Sequence, residues 1–99
     1  MGLKNTTNNL GYQQITDLSS AASLTVPTVD VAGNKQQPTR AFIVAEGNNI
    51  RWRDDGTAPT ASVGMILIQN NVLSYDGDLS KIQFIQTGAG AKLNVSYYS

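Results

Sequence analysis

The chain consists of short segments in which apolar and polar residues alternate, and no segment keeps the 3.6-residue period of an amphipathic helix. Three pairs of these segments flank short turns rich in Asn and Gly, two residue types that tolerate a positive φ. Each pair therefore predicts a β-hairpin. The pairs are residues 40–46 with 50–53, residues 63–69 with 72–75, and residues 81–87 with 91–97.

Two further strands are predicted ahead of these hairpins, at residues 13–16 and at residues 22–26, where Pro27 ends the second one. Residues 33–38 are predicted to form a polar loop. About six to eight short strands at regular spacing are typical of antiparallel sandwiches and barrels. The sequence therefore predicts an all-β fold, an antiparallel β-sandwich or small β-barrel built from successive hairpins.

Alternation along a strand separates the side chains that face the core from those that face outward. Ile50 and Trp52 are expected to point one way, and Arg51 and Arg53 the other. In the last strand, the positions expected to face the core are Leu93, Val95 and Tyr97.

Two strands are apolar at consecutive positions, residues 41–45 and residues 65–68, so both of their faces are apolar. Strands of this kind are usually central in a sheet. We therefore expect each of them to be central, or to be covered on its second face by another sheet or another subunit.

The length of 99 residues suits one small domain. Residues 1–9 are polar and rich in Asn, which predicts a flexible N-terminal arm, and residues 10–99 are predicted to form a single β domain. No apolar run approaches the roughly 20 residues of a membrane-spanning helix, so no membrane is expected as a partner.

The composition excludes several kinds of chemistry. The chain has no His and no Cys, which rules out Ser–His and Cys–His nucleophile systems, disulfides and thiolate metal sites. Seven Lys or Arg residues balance seven Asp or Glu residues, so no net charge attracts nucleic acid. We therefore expect a protein that is not an enzyme, has no cofactor and no metal, and does not bind nucleic acid.

The densest group of charges lies at residues 51–55 and surrounds the only tryptophan. Arg51, Arg53, Asp54 and Asp55 are predicted to be interface residues, because desolvated charge pairs between subunits fix register and partner choice. Tyr98 is predicted to support them from an outward-facing position near the end of the chain.

Trp52 has two interpretations at this point. It is either a core residue beside Ile50 or a stacking platform for a sugar ring or for a side chain of a partner. The second interpretation, with a tyrosine as a further platform and the Asp-rich turns binding hydroxyl groups, would make the chain a carbohydrate-binding module that recognises a receptor.

Two turns hold four of the seven acidic residues. Asp54 and Asp55 lie in the first turn, and Asp76 and Asp78 lie in the second. If the turns met, their oxygens would suit Ca²⁺, which takes about six to eight oxygen ligands. A pair of carboxylates is also the catalytic arrangement of glycoside hydrolases, although so short a chain leaves little room for a substrate cleft. A strand closed by a turn is the favoured interpretation of each Asp–Gly sequence.

Most of the chain resembles small structural proteins of tailed bacteriophages. The resemblance is carried by residues 45–48, 51–60, 63–65, Tyr75, 77–79, 82–85 and 91–98, with residues 15–18 and 24–27 similar to the opening strands of that group. Its most specific part is the motif centred on Trp52.

The resemblance implies a virion protein that decorates or cements the capsid, with a neck or tail accessory protein as the alternative. It implies assembly in the cytoplasm of the bacterial host and localisation in the virion. The expected partners are other copies of the chain, in a homo-oligomer for which a trimer is favoured, and other virion proteins such as the major capsid protein.

Overall fold

The computed structural model describes residues 8–99, which form strands, turns and loops. No helix in this part of the chain is long and apolar enough to cross a membrane. The strands are β1 Asn9–Ile15, β2 Ala22–Ser23, β3 Val29–Val31, β4 Asn34–Gln36, β5 Arg40–Glu46, β6 Ile50–Arg53, β7 Met65–Leu67, β8 Val72–Tyr75, β9 Gln83–Gln86 and β10 Lys92–Tyr98. Of the predicted N-terminal arm, residues 1–7 lie outside the described residues, and Asn9 is the first residue of β1.

Two four-stranded antiparallel sheets make up the body of the fold. Sheet A has the strand order β1-β10-β5-β8, and sheet B has the order β2-β9-β6-β7. The predicted all-β antiparallel fold is confirmed, and it takes the form of a sandwich. Strand β5 is central in its sheet, as its two apolar faces predict, whereas β7 is the last strand of sheet B.

The core lies between the two sheets and follows the predicted alternation. Along β10, Leu93, Val95 and Tyr97 are buried while the residues between them are not. Sheet B contributes Ile50 and Phe84, both fully buried. Burying a side chain of this size stabilises the fold by about 1.5–3 kcal/mol, so the core residues are the main source of stability.

The three predicted hairpins are wrong, although the predicted strands exist. Within each pair the two strands lie in opposite sheets: β5, β8 and β10 belong to sheet A, and β6, β7 and β9 belong to sheet B. The turns between them are therefore β-arches, connections that carry the chain from one sheet to the other. Asn and Gly suit an arch as well as a hairpin, because both need a positive φ.

Asn49 joins the three arches at one end of the sandwich. Its side-chain Oδ1 accepts a hydrogen bond from the backbone N–H of Gln69 (2.8 Å), and its carbonyl accepts one from the backbone N–H of Thr87 (3.1 Å). Gly47 in the first arch lies against Gly90 in the third, so closely that a Cβ at Gly47 would overlap the Gly90 carbonyl. The arches therefore pack on one another as one unit.

The predicted polar loop at residues 33–38 is also wrong. Strands β3 and β4 pair with each other in a separate two-stranded sheet. Ala32 and Gly33 form the turn between them with φ values of 54° and 86°. Two successive residues with positive φ match the twist of a hairpin, so this polar segment folds into the tight hairpin that the apolar pairs do not form.

Candidate functional site

The charged motif lies at the end of β6 and in the loop that follows it. Arg53 donates two parallel hydrogen bonds to Asp55, from Nε to Oδ1 (3.0 Å) and from Nη2 to Oδ2 (2.5 Å). The hydrogen bond from Arg53 lowers the pKa of Asp55 to about 2, and the same bond raises the pKa of Arg53. Because Asp55 is exposed and Arg53 is partly exposed, water screens this pair, which fixes the direction of the loop more than it stabilises the fold.

Arg51 holds the loop between β6 and β7. Its guanidinium donates to the carbonyl of Ala61 (3.2 Å) through Nε and to that of Gly64 (2.8 Å) through Nη1. Within the sheet, Arg51 is paired with Ile85 of β9 on one side and with Ile66 of β7 on the other. The neighbouring Ile50 is fully buried, so strand alternation places Arg51 on the outer face of sheet B, as predicted, and its guanidinium binds the chain's own loop.

Asp54 links the two sheets. It accepts a 2.7 Å hydrogen bond at Oδ2 from the hydroxyl of Tyr75, the last residue of β8 in sheet A. Burial raises the pKa of Tyr75, and the hydrogen bond to Asp54 raises it further. Trp52 packs beside this contact, with its ring 5.9 Å from that of Tyr75 in an edge-to-face arrangement. Trp52 is half-buried and contacts the core beside Ile50.

Tyr98 lies on the other sheet, away from the four charged residues. On the outer face of sheet A its ring is 5.3 Å from that of Phe42, and the Arg40 guanidinium is 6.0 Å from the centre of each ring. The structure therefore brings together Arg51, Arg53, Asp54 and Asp55, and it places Tyr98 on a different surface.

An apolar surface runs along the side of the sandwich where β7 and β8 are the last strands of their sheets. Seven large apolar side chains are exposed among those that the structure describes, and five of them come from residues 63–72. These five define what we call the apolar edge: Val63, Met65, Ile66, Ile68 and Val72. Met65 is 60% exposed and Val72 is 61% exposed.

The apolar edge belongs to a stretch without charge, since residues 56–75 contain no Asp, Glu, Lys or Arg. Apolar character at residues 65–68 indicated that a second subunit could cover this strand. The length of the uncharged stretch is the additional signal in the sequence that identifies the whole edge, because exposed strands usually carry charges.

A groove of about 260 Å³ joins the charged motif to the apolar edge. Arg53, Asp54 and Asp55 line one part of the groove, and Val63, Gly64 and Met65 line the other part. Charged residues beside an apolar surface are typical of the rim of a protein–protein interface. The predicted interface residues at positions 53–55 therefore border the surface that is best suited to contact a partner.

A second surface, the outer face of sheet A, combines aromatic and polar side chains. Tyr12 is 65% exposed, and its hydroxyl donates a 2.6 Å hydrogen bond to Oδ1 of Asn94. Gln14 donates to the same oxygen (3.0 Å), and Asn94 Nδ2 donates to Glu46 (2.9 Å). These hydrogen bonds hold the polar side chains in fixed orientations across three strands.

Three of the four carboxylates in the two Asp-rich turns that suggested Ca²⁺, those of Asp54, Asp55 and Asp78, accept hydrogen bonds from within the chain. Asp78 accepts hydrogen bonds from the backbone N–H (2.9 Å) and the hydroxyl (2.5 Å) of Ser80, and these bonds lower its pKa. Within residues 8–99, no group of three or more acidic side chains is close enough together to hold a metal ion.

Comparisons of the chain with protein-family models, with curated proteins and with solved structures find no match.

Proposed function

We propose that this chain is a non-enzymatic structural protein of a tailed-bacteriophage virion, most specifically a decoration or cement protein of the capsid. The proposal joins the sequence resemblance, which covers most of the chain, to the character of the surface. All four charged residues of the Trp52 motif, Arg51, Arg53, Asp54 and Asp55, contact their own chain, so they act as supports for a surface.

The observation that carries the proposal is the apolar edge. Among the described residues, five of the seven exposed large apolar side chains come from residues 63–72, at the side of the sandwich where β7 and β8 are the last strands. Water contact at such a surface is unfavourable. Because these side chains are only 47% to 61% exposed, covering one of them contributes roughly half of the 1.5–3 kcal/mol of complete burial. A protein that assembles with copies of itself and with a capsid protein would cover them.

The mechanism of such a protein is passive. The sandwich supplies a rigid body, because Asn49 joins its three arches and the Asp54–Tyr75 contact joins its sheets. The apolar edge supplies the contact area, and the charged groove beside it supplies orientation. No chemical step is needed for this function.

The direct test is to search for the chain in purified virions and to prepare particles that lack it. We expect the chain to be present in many copies and the deficient particles to release their DNA at a lower temperature. Adding back the purified protein should restore the release temperature. Virions that never contain the chain would reject the proposal. Labelling with antibodies in electron micrographs separates a capsid position from the alternative position at the neck or tail.

A carbohydrate-binding module is the second candidate function, and the outer face of sheet A favours it. Tyr12 and Phe42 are exposed on either side of Ser96, on strands separated by about 9.5 Å. Aromatic rings beside oriented amide and carboxylate groups suit the stacking and hydrogen bonding of a saccharide.

A glycan array tests this second candidate. If it is correct, binding should be lost in Tyr12→Ala and retained in Ile66→Lys, because Ile66 lies on the other sheet. Absence of binding to any glycan would count against this candidate and leave the structural role as it stands.

A further inference from the structure

We propose that β7 pairs with β7 of a second copy, antiparallel and around a two-fold axis that passes beside Ile66. Sheet B would then continue from one subunit into the next. This inference rests on the proposed function only in treating the apolar edge as an assembly surface. It goes further by naming the partner as a second copy, the strand that makes the contact and the register.

The hydrogen bonds of β9 show which main-chain groups face which neighbour. The backbone N–H of Gln86 donates to the carbonyl of Leu18 (3.0 Å), away from β6. The backbone N–H of the next residue, Thr87, donates to the carbonyl of Asn49, beside the start of β6. Because successive residues in an antiparallel strand face opposite neighbours, Ile85 directs its main-chain groups toward β6, as Thr87 does.

The same alternation continues across β6 to the open side of the sheet. Ile85 is paired with Arg51, so the main-chain groups of Arg51 face β9 and not β7. Ile66 is the β7 residue opposite Arg51, and its N–H and C=O therefore point away from β6. Since β7 is the last strand of sheet B, these two groups lie on its open side.

A two-fold axis beside Ile66 uses both of these groups. The N–H of Ile66 in each copy would donate to the carbonyl of Ile66 in the other copy, as in a hydrogen-bonded pair of an antiparallel ladder. In this register, Met65 of one copy lies opposite Leu67 of the other. The contact would cover Met65 and Ile66, two of the exposed apolar side chains of β7.

The absence of charge makes this strand suited to a second copy of itself. At a two-fold axis each residue lies near its own counterpart, so any charge there would be repelled by a like charge. Residues 56–75 contain no charged residue, so no such repulsion arises. The Ile66 position therefore allows two copies to approach without an unfavourable electrostatic contribution.

Two other edge strands, β1 of sheet A and β2 of sheet B, have features that protect them from such pairing. Strand β1 has an irregular register between Asn9 and Gly11, and its exposed side chains include Tyr12 and Gln14 with their hydrogen-bonded partners. Strand β2 has only two residues and is followed by Pro27. Bulges, short length and proline are the usual devices that protect an edge. Strand β7 is also short, with three residues, but it has neither a bulge nor a proline.

The proposed contact is isologous and produces a dimer, which would replace the trimer expected from the resemblance. Light scattering on the purified chain should give a mass of two chains of 10.6 kDa at high concentration. Ile66→Lys places like charges at the axis, and it should raise the dimer dissociation constant at least tenfold. Ser74→Lys, a substitution at an exposed position of β8, is the matched control and should leave the constant unchanged.

Single cysteines test the register itself, because the natural chain contains none. In Ile66→Cys the two thiols would lie close to the axis, and a short bismaleimide should link most of the protein into covalent dimers. Gln14→Cys on β1 is the control and should remain unlinked at the same concentration. This measurement keeps the rest of β7 intact, so it remains decisive even if Ile66→Lys folds poorly.

The results separate this inference from the proposed function. A trimer, a stable monomer, or equal linking of the two cysteine variants would overturn the β7 pairing, even if the chain is found in virions. Dimers linked through position 66 in a chain that is absent from virions would support the pairing and reject the virion role.

Discussion

The hydroxyl of Tyr75 donates a 2.7 Å hydrogen bond to Oδ2 of Asp54, and this contact joins the last strand of sheet A to the end of β6 in sheet B. Tyr75 is buried, whereas Asp54 is exposed. The edge-to-face contact of the Tyr75 and Trp52 rings lies beside it. The pair therefore closes the sandwich at the end opposite the three arches, next to the groove and the apolar edge.

Breaking this contact should destabilise the fold. We expect Tyr75→Phe to lower the free energy of unfolding by about 1–2 kcal/mol, because a hydrogen bond to a charged group is lost. Asp54→Ala should have a similar effect, since it leaves the buried hydroxyl without its acceptor. In a double-mutant cycle measured by urea denaturation, the two losses should not add. Strictly additive losses would mean that the pair does not couple the sheets.

The close packing of the arches predicts an unequal effect of two glycine substitutions. Gly47 and Gly56 both have a positive φ, 83° and 90° respectively. A Cβ at Gly47 would overlap the carbonyl of Gly90, whereas one at Gly56 would meet no atom. Gly56→Ala should therefore cost only the conformational strain, about 1 kcal/mol. Gly47→Ala should cost about 1–3 kcal/mol more, because the arches must move apart.

Thermal unfolding followed by circular dichroism measures the difference between these variants. Gly56→Ala is the matched control, because it has the same backbone requirement without the steric overlap. Equal losses in the two variants would show that the arches do not pack on each other as the structure describes.

Much of the fold follows from local alternation, and its connectivity does not. The alternation of residues 92–98 assigns Leu93, Val95 and Tyr97 to the core, where they are buried. Whether the next strand returns in the same sheet or in the opposite one depends on contacts distant in sequence. Examples are the hydrogen bond from Gln69 to Asn49 and the close approach of Gly47 to Gly90. A turn of Asn and Gly permits both outcomes, so the predicted hairpins could not be distinguished from arches.

Local sequence patterns also predicted part of the candidate site, and the rest depends on contacts distant in sequence. Charge density identified the Arg51–Trp52–Arg53 segment, and alternation placed Trp52 on the opposite face from its two neighbours. The partners of the arginines were not predictable, because the Ala61 and Gly64 carbonyls reach Arg51 only through the path of the loop. The exposure of Met65 follows from the position of β7 at the end of its sheet, which is a property of the whole fold.

Arg51 should control the mobility of the loop that it holds. Arg51→Lys keeps the charge but removes the planar group that reaches both carbonyls. We expect backbone amides in residues 57–64 to exchange with solvent about tenfold faster in this variant, measured by hydrogen–deuterium exchange. Amides of β10 should keep their wild-type rates, because the core is not altered. Unchanged exchange in the loop would show that the guanidinium does not hold it.

A fall in pH should lower the free energy of unfolding, in part through Asp55. The hydrogen bond from Arg53 lowers the pKa of Asp55 to about 2 in the folded state, against an ordinary value of 3.8. An acid whose pKa is lower in the folded state stabilises the fold above its unfolded pKa, and this contribution is lost as the pH falls toward the folded pKa. The stability of the wild type should therefore decline from about pH 5 to pH 2 more steeply than that of Asp55→Asn.

Arg53→Gln is the control for this cause, since it removes the charged guanidinium that donates both hydrogen bonds and leaves the carboxylate in place. It should flatten the pH dependence by about as much as Asp55→Asn, and the double variant should flatten it no further. Urea denaturation at half-unit pH steps gives the three curves. If Arg53→Gln follows the wild-type curve, the acid sensitivity comes from other carboxylates, such as Asp17 and Asp78. Hydrogen bonds from Ser19 and Ser80 lower the pKa values of these two groups.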